Sequence, residues 1–235
     1  MYQGKKILAL IPARGGSKGI KDKNIKELHG RPLIAYSIAC GLQSKYVDSV
    51  VVTTDSEKIA EVSRQYGARV PFMRPAEYAL DTSPTVQAVS HAIRALKEMG
   101  ETYAAFVLLQ PTQPLRTSED VDAAIETYFE KGEQNLISVC PVSEHPQLIR
   151  SIDKDGKMER IFTSTATRRQ DMPTFYRVNG CIYINNMEIF DEVNGMRDYS
   201  VPFIMERSHS VDIDDLADFY LAEYYLSSIE EKTSN

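Results

Sequence analysis

The residues best suited to chemistry form one short segment, PARGGSKGIKDKN, which follows the first apolar run of the chain. The segment combines three glycines with four cations, namely Gly15, Gly16 and Gly19 with Arg14, Lys18, Lys21 and Lys23. Glycines let backbone N–H groups approach a phosphate closely, and the cations neutralise its charge. The spacing matches neither a Walker A motif nor G-x-G-x-x-G. We therefore predict a polyphosphate-binding loop, the alternative being a solvated basic loop whose glycines serve tight turns.

A second cluster, SVDIDDLAD, is acidic and lies near the end of the chain. In an extended stretch Asp212 and Asp214 point to the same side, because side chains repeat every two residues. Mg²⁺ typically takes one or two carboxylates together with substrate phosphates and water. The alternative is that Asp214 caps the terminal helix while Asp215 and Asp218 complement its positive end. If both clusters line one cleft, cations would hold a triphosphate and carboxylates its metal, as phosphoryl-type transfer requires.

Alternating elements must position these two clusters. Short apolar or β-branched runs predict strands over residues 6–12, 48–54, 69–72, 103–110 and 135–141. Helical periodicity predicts helices over residues 32–43, 56–66, 84–99 and 117–131, the last with Thr117 as N-cap. This alternation predicts an α/β fold with a doubly wound, mainly parallel sheet and helices on both faces. Such sheets bind ligands beyond the carboxyl ends of their strands, where the glycine-rich segment lies.

The last third of the chain changes character. Residues 147–162 alternate in polarity around Asp155-Gly156, a hairpin signal, and form an excursion from the α/β body. Late strands are predicted over residues 180–185 and 201–206. A terminal helix is predicted over residues 214–229, with Leu216, Phe219, Tyr220 and Leu226 as packing positions. We expect residues 1–235 to form one domain that contains this excursion.

Composition excludes several classes of protein. The chain has 235 residues, of which 43% are hydrophobic and 26% charged, as in ordinary globular domains. A net charge of −6 argues against a nucleic-acid-coating role, and no apolar run approaches the ~18 residues of a membrane span. Three cysteines without CxxC spacing favour a reducing cytoplasm, where we expect them to be buried small hydrophobes. The four histidines show no metal-ligand spacing, and we interpret them as structural or peripheral.

Six blocks in order resemble the acylneuraminate cytidylyltransferases, the CMP-sialic acid synthetases. They are IPARGGSKGIKDKN, VVVTTDSEKIAEVSRQYGA, RPAEYALDTSPT, LLQPTQPLRT, RRQDMPTFYRVNGCIYI and SVDIDD. The resemblance implies a Rossmann-like nucleotidyltransferase and a reaction. The anomeric hydroxyl of a nine-carbon α-keto acid sugar attacks the α-phosphate of CTP, and CMP-sugar and pyrophosphate form with Mg²⁺. It also implies a homodimer in which an excursion, about residues 143–178, contacts the partner and helps complete its sugar site.

The resemblance also implies site residues. For the nucleotide these are Arg14, Gly15, Gly16, Ser17, Lys18, Lys23, Asn24, Arg74, Thr82, Ser83 and Thr85. The last four match the segment that reads cytosine and ribose. For the sugar they are Gln110, Arg169, Arg177, Asn179 and Tyr183. Asp212 and Asp214 match the metal carboxylates, and with Arg14 and Lys23 they form the implied catalytic set.

Structural alternatives remain for several of these positions. Arg74 could lie on the surface, Gln110 could satisfy loop backbone, Arg169 could hold a dimer contact, and Tyr183 could be plain core. Arg116 is interpreted as support for a loop or the interface.

One departure concerns the acceptor. The family pattern has a lysine shortly after a His-Pro dipeptide, whereas Leu148 stands at that place here and Arg150 follows two residues later. The acceptor could therefore be N-acetylneuraminate or a relative such as legionaminate.

Two other functions are compatible with these residues. They are a sugar nucleotidyltransferase that uses another nucleotide, and a nucleotide-binding regulator that lacks catalysis. A dinucleotide oxidoreductase is disfavoured because G-x-G-x-x-G is absent.

Overall fold

The computed structural model describes residues 1–16, 19–162, 173–193, 195–196 and 201–233. Ser17, Lys18 and Arg169, each assigned a ligand contact by the resemblance, lie outside the described residues. Within those residues no helix combines the length and the apolar character that crossing a bilayer requires.

Ten strands and five helices make up the regular structure of the described residues. The strands are β1 (Ile7–Pro12), β2 (Glu27–Leu28), β3 (Arg31–Pro32), β4 (Ser49–Thr53), β5 (Ala105–Leu108), β6 (Leu136–Pro141), β7 (Arg150–Ile152), β8 (Met158–Arg160), β9 (Tyr176–Asn186) and β10 (Val201–Ile204). The helices are α1 (Leu33–Gln43), α2 (Glu57–Gln65), α3 (Thr85–Glu98), α4 (Ser118–Glu130) and α5 (Leu216–Thr233).

The central sheet has six strands in the order β10-β6-β9-β5-β1-β4. Neighbouring strands are parallel except at β9, which runs antiparallel to both β5 and β6. β1 is apolar along nearly its whole length because both faces of this inner strand are covered. The prediction of a mainly parallel sheet in an α/β fold is confirmed.

Helices cover both faces of the sheet. One core cluster joins alternate residues of β1, such as Ile7 and Ile11, to α1 and α4 through Ile38 and Ile125. The cluster on the other face contains Leu8 and Leu10 with residues of α3. The alternation of β1 side chains between two apolar layers fixes its register and the direction of the loop that leaves it.

A third cluster connects the glycine-rich segment to the late acidic segment. Ile20 packs there with Val211 and Ile213, which flank Asp212, and with Phe219 of α5. These side chains are almost completely buried. Apolar packing therefore holds the two charged segments side by side.

The capping and turn predictions for the body are confirmed in part. Thr117 caps α4 in a full capping box with Asp120, and the hairpin of β7 and β8 turns at Asp155-Gly156, with Gly156 at a φ of 78°. All three cysteines are buried and free, as expected. The strand predicted over residues 69–72 was wrong: only an isolated bridge joins Val51 to Arg69.

The terminal helix begins later than predicted. The Asp215 carboxylate accepts hydrogen bonds from the backbone N–H groups of Ala217 and Asp218, at 2.8 and 3.1 Å. Asp215 therefore caps the helix. The interpretation of Asp214 as the cap was therefore wrong. Leu216 and Tyr220 were also wrongly predicted as packing positions, because they are exposed while the helix packs through Phe219.

Candidate active site

A polar cleft of about 460 Å³ opens beyond the carboxyl ends of β1 and β5. Several chain segments that are distant in sequence contribute to its wall. The predicted site residues that line it are Arg14, Lys23, Asn24, Arg74, Ser83, Thr85, Gln110 and Asp214. Gly19 of the predicted phosphate loop lines it as well. Residues that sequence reasoning left out also line it, namely Tyr78, Leu80, Asp81, Ala88 and Thr112.

The glycine-rich segment and the acidic segment meet in this cleft. Lys23 Nζ donates to the Ile213 carbonyl oxygen at 2.6 Å and lies 3.8 Å from Asp214 Oδ1. Gly19 packs so closely that a Cβ there would lie 2.6 Å from the Asp214 carbonyl oxygen. Positive and negative groups thus face one shared space, as the two sequence clusters together predicted.

Asp212 and Asp214 differ in environment. Asp214 is mostly exposed, whereas Asp212 is partly buried and its Oδ1 has no hydrogen-bond partner among the described residues. Burial raises the pKa of Asp212, a hydrogen bond from the Thr112 side chain opposes that shift, and the neighbouring Asp214 carboxylate adds to it. An orphaned carboxylate oxygen next to a second carboxylate suits a hard cation.

The donor set fits Mg²⁺ better than a metal that protein ligands hold alone. Among the described residues no group of three acidic, histidine or cysteine side chains could hold an ion. Mg²⁺ usually keeps several waters and binds through one or two carboxylates plus substrate phosphates. Asp212 and Asp214 therefore match a metal that arrives with its phosphate ligand.

The Arg14 side chain lines the same cleft as Asp214 and pairs with another carboxylate there. Its Nη1 contacts Asp81 Oδ1 at 2.6 Å, so a carboxylate already pairs with the guanidinium that we expect to meet phosphate. Asn24 is buried and its amide donates to the Arg14 carbonyl oxygen at 3.0 Å. Asn24 thus holds the loop backbone while also lining the cleft.

Arg74 is a buried cation at the base-binding end of the predicted site. It is only 6% exposed, so the alternative of a surface arginine is wrong. Its Nε and Nη2 have no hydrogen-bond partner among the described residues. Burial lowers the pKa of Arg74, the Asp55 carboxylate opposes that shift, and Arg14 adds to it. Arg74 lines the cleft together with Thr85, the first residue of α3.

The β9 residues assigned to the sugar do not line the cleft. Asn179 is buried and its amide joins Ser138 at 2.6 Å and Ser210 at 2.9 Å. Arg177 Nη2 donates to the Ser210 carbonyl oxygen at 2.9 Å, and Tyr183 packs against the core on the α3 side of the sheet. Thr82, Gly15, Gly16 and Asp212 also stand outside the cleft wall, whereas Asp214 lines it.

Gln110 is the predicted sugar contact that does reach the cleft. Gly180, at a φ of 76°, lies next to the Gln110 side chain. A Cβ on Gly180 would lie 3.6 Å from Gln110 Oε1, an ordinary contact, and 3.0 Å from Gln113 Nε2, a tight one. The Gln110 carbonyl oxygen accepts from Ser37 Oγ at 3.1 Å. Buried Arg116 donates to Ser37 Oγ and to the Cys181 carbonyl oxygen, both at 2.7 Å, so it supports this loop as interpreted.

The chain belongs to the cytidylyltransferase family, because residues 8–231 match that family's sequence profile. It is 36% identical over 230 residues to the CMP-N,N'-diacetyllegionaminic acid synthase of Legionella pneumophila, covering 96% of this chain and 98% of the relative. It is also 36% identical over 220 residues to the N-acylneuraminate cytidylyltransferase of Escherichia coli O18:K1:H7, covering 92% of this chain but 51% of that relative. A pseudaminic acid cytidylyltransferase of Campylobacter jejuni is 31% identical over 223 residues, with 93% and 95% covered.

A solved structure shares the fold. It is a CMP:2-keto-3-deoxy-manno-octonic acid synthetase complexed with CTP, with a TM-score of 0.70. The match covers 95% of this chain and 99% of that one at 14% sequence identity, so it supports the architecture alone.

Proposed function

We propose that the chain transfers CMP from CTP to the anomeric hydroxyl of a nonulosonic, sialic-type α-keto acid. The observation that carries this proposal is the meeting of Lys23 with the Asp212–Asp214 segment in the cleft that Arg14 and Arg74 also line. The named relatives make CMP derivatives of legionaminic, neuraminic and pseudaminic acids, which supports the same class of acceptor.

The reaction is a substitution at the α-phosphorus of CTP. The anomeric oxygen forms a bond to phosphorus, its hydroxyl proton passes to the Asp214 carboxylate or to water, and the bond to the bridging oxygen of the β-phosphate breaks. Pyrophosphate leaves with that electron pair. Catalysis of such transfers consists mainly of positioning and of stabilising charge on the phosphate oxygens.

Cations of the first loop serve the leaving group. Lys23 is largely buried and is fixed by its bond to the Ile213 carbonyl oxygen, so its charge faces the triphosphate with little freedom. Arg14 reaches the same space from the end of β1. Asp212 and Asp214 would hold Mg²⁺, which when bound neutralises phosphate charge as a Lewis acid.

Arg74 serves the base in this proposal. Cytosine presents the acceptors O2 and N3, and the Arg74 guanidinium, which lines the cleft and has nitrogens without a hydrogen-bond partner among the described residues, is a donor that suits acceptors of this kind. An unpaired buried donor is costly, which favours a nucleotide that satisfies it. This preference for acceptors supports CTP as the nucleotide.

The acceptor is proposed at the level of its class. Leu148 is exposed, and Arg150 Nη1 donates to the carbonyl oxygens of Gln147 and Ile149 at 2.6 and 2.8 Å. The Arg150 side chain is therefore engaged with its own backbone and does not replace the lysine of the family pattern. N-acetylneuraminate and legionaminate both remain candidate acceptors.

We further propose that the chain forms a homodimer through the excursion at residues 143–178. Large apolar side chains there are 45 to 71% exposed, a density that usually marks an interaction surface. They are Leu148, Ile149, Ile152, Ile161, Phe162, Met158, Tyr176 and Val178. Sedimentation should give twice the 26.5 kDa chain mass, and Ile152→Asp with Met158→Asp should give a monomer. A monomeric parent chain would refute this surface as a dimer contact.

The three buried free cysteines suit a reducing compartment, and we propose the cytoplasm.

Pyrophosphate release tests the proposed reaction. The chain with Mg²⁺ is given CTP, UTP, ATP or GTP, each with N-acetylneuraminate, N,N'-diacetyllegionaminate or pseudaminate. We expect release with CTP and at least one of these acids. Lys23→Met should lower kcat/KM by about 10²- to 10³-fold, as loss of a charge-stabilising donor does, whereas Lys45→Met on the exposed surface serves as the control. No release with CTP and any of the three acids would contradict the proposal.

A further inference from the structure

Asp55 occupies a junction between the two halves of the nucleotide site. It lies two residues after the end of β4, and its Oδ1 accepts a hydrogen bond from the Gly15 backbone N–H at 2.9 Å. The same oxygen lies 3.8 Å from Arg74 Nη2. The preceding residue also contacts Arg74: the Thr54 carbonyl oxygen accepts a hydrogen bond from the Arg74 backbone N–H at 2.8 Å.

The distance between Asp55 and Arg74 matters for what Arg74 can bind. A buried guanidinium needs a compensating charge, since an isolated charge is expensive to remove from water. Asp55 is the ion-pair partner of Arg74 among the described residues. The 3.8 Å between Asp55 Oδ1 and Arg74 Nη2 is too long for a hydrogen bond. Arg74 therefore gains compensation of its charge while its buried Nε and Nη2 make no hydrogen bond to the described residues.

The hydrogen bond from the Gly15 backbone N–H holds Asp55 at this distance from Arg74. The Asp55 oxygen is committed to the Gly15 N–H, and a Cβ on Gly15 would lie 3.1 Å from Ser56 Cβ and 3.5 Å from Asp55 Oδ2. The absence of a side chain thus lets the loop approach the end of β4. One carboxylate oxygen sets both the loop position and the environment of Arg74.

We propose that Asp55 is a positioning residue that couples the base-binding arginine to the phosphate-binding loop. The inference rests on the proposed function, in which both groups bind CTP. Asp55 itself touches neither base nor phosphate in this account. Its removal should weaken nucleotide binding and base discrimination while leaving the acceptor site unchanged.

The test uses two variants of Asp55 that separate its two contacts. Asp55→Asn keeps an oxygen that can accept the Gly15 N–H but removes the charge that faces Arg74. Asp55→Ala removes both. Calorimetry with CTP, UTP and pyrophosphate measures the consequences, and thermal unfolding reports the stability of each variant.

A matched control lies at the other end of the same strand. Asp48 precedes β4 and its Oδ2 accepts the Ile7 backbone N–H at 2.7 Å, so Asp48→Asn changes the same charge and a similar bond away from the cleft. We expect the Kd for CTP in this control to change by no more than about twofold, as for substitutions away from a site.

The expected results differ by ligand. Asp55→Asn should raise the Kd for CTP by about tenfold or more, and a tenfold change is about 1.4 kcal/mol. It should also lower the ratio of the Kd for UTP to the Kd for CTP. Its Kd for pyrophosphate should change less, because the loop keeps its anchor. Asp55→Ala should weaken both ligands, and Asp55→Glu, which keeps the charge, should bind CTP better than Asp55→Asn.

Three outcomes would overturn the inference. Asp55→Asn could bind CTP with parental affinity and preference, Asp55→Glu could bind no better than Asp55→Asn, or Asp48→Asn could match Asp55→Asn in both affinity and unfolding temperature. A parent chain that binds CTP but releases no pyrophosphate with any nonulosonic acid would refute the proposed reaction and leave the coupling measurable. A parent chain that does not bind CTP would refute both.

Discussion

Gly19→Ala should separate the two charged segments without changing any charge. The added Cβ would lie 2.6 Å from the Asp214 carbonyl oxygen, whereas ordinary contact begins at 3.4 Å. The loop or the acidic segment must therefore move, and reaching ordinary contact takes about 0.8 Å, the difference between these two distances. A displacement near 1 Å in a site that works by positioning costs about 10²-fold in rate.

The assay is kcat/KM for pyrophosphate release, measured beside thermal unfolding. Overpacking of this kind costs about 1–3 kcal/mol of stability, so the variant should remain folded at assay temperature. Gly16→Ala is the comparison, because a Cβ there meets no atom within 4 Å and any loss would report contacts with the ligand. A Gly19→Ala enzyme with parental kcat/KM would refute the reasoning that close packing of these segments sets the site.

Further predictions concern Asp81, the acidic pair and His209. Asp81→Asn removes the carboxylate 2.6 Å from Arg14, so CTP should bind about three- to tenfold more tightly, as a half-exposed pair of modest strength allows; weaker binding in calorimetry would show that Asp81 orients Arg14. Asp212→Asn and Asp214→Asn should each raise the Mg²⁺ concentration for half-maximal turnover, and near-parental turnover by both would remove the metal assignment. A hydrogen bond to Asp120, 2.9 Å away, raises the pKa of His209, so this pair stabilises the fold fully below pH 6.5 and less as pH rises through the raised pKa. Unfolding temperatures from pH 6 to 9 should therefore fall more for the parent than for His209→Asn, and parallel curves would contradict the role of this pair.

Much of the fold could be predicted because its elements follow from local patterns. The buried run of β1 and the apolar spacing of α3 specify their own conformations. The start of α5 could not be predicted, because four aspartates compete to cap it and tertiary packing decides among them. Asp214 packs its backbone against Gly19, which leaves Asp215 to accept the free N–H groups.

The site residues likewise differ in whether local sequence could reveal them. Arg14 and Lys23 belong to a basic loop in an acidic chain, so local charge was enough to indicate an anion site. Asp214 lies in an acidic run that a helix start would equally explain. Asp55 and Asp81 act through contacts with residues distant in sequence, and no local spacing marks such pairs.

The sugar residues on β9 were implied by the resemblance, and strand alternation could not show which face of the sheet they occupy. Gly180 takes a φ of 76°, and the pairing of β9 with β6 shifts register between Ile137 and Val139. Each irregularity changes which face the following side chains occupy. Alternation therefore could not tell that Asn179 turns inward to Ser138 and Ser210 and away from the cleft.

The most direct test of the central claim is a crystal structure of the chain with CTP and Mn²⁺, read by anomalous scattering. The account predicts the triphosphate between Arg14 and the acidic segment, cytosine beside Arg74, and the anomalous peak next to Asp212 and Asp214. Nucleotide bound elsewhere, such as in the groove that Tyr103 and Phe190 line beside α3, would contradict it.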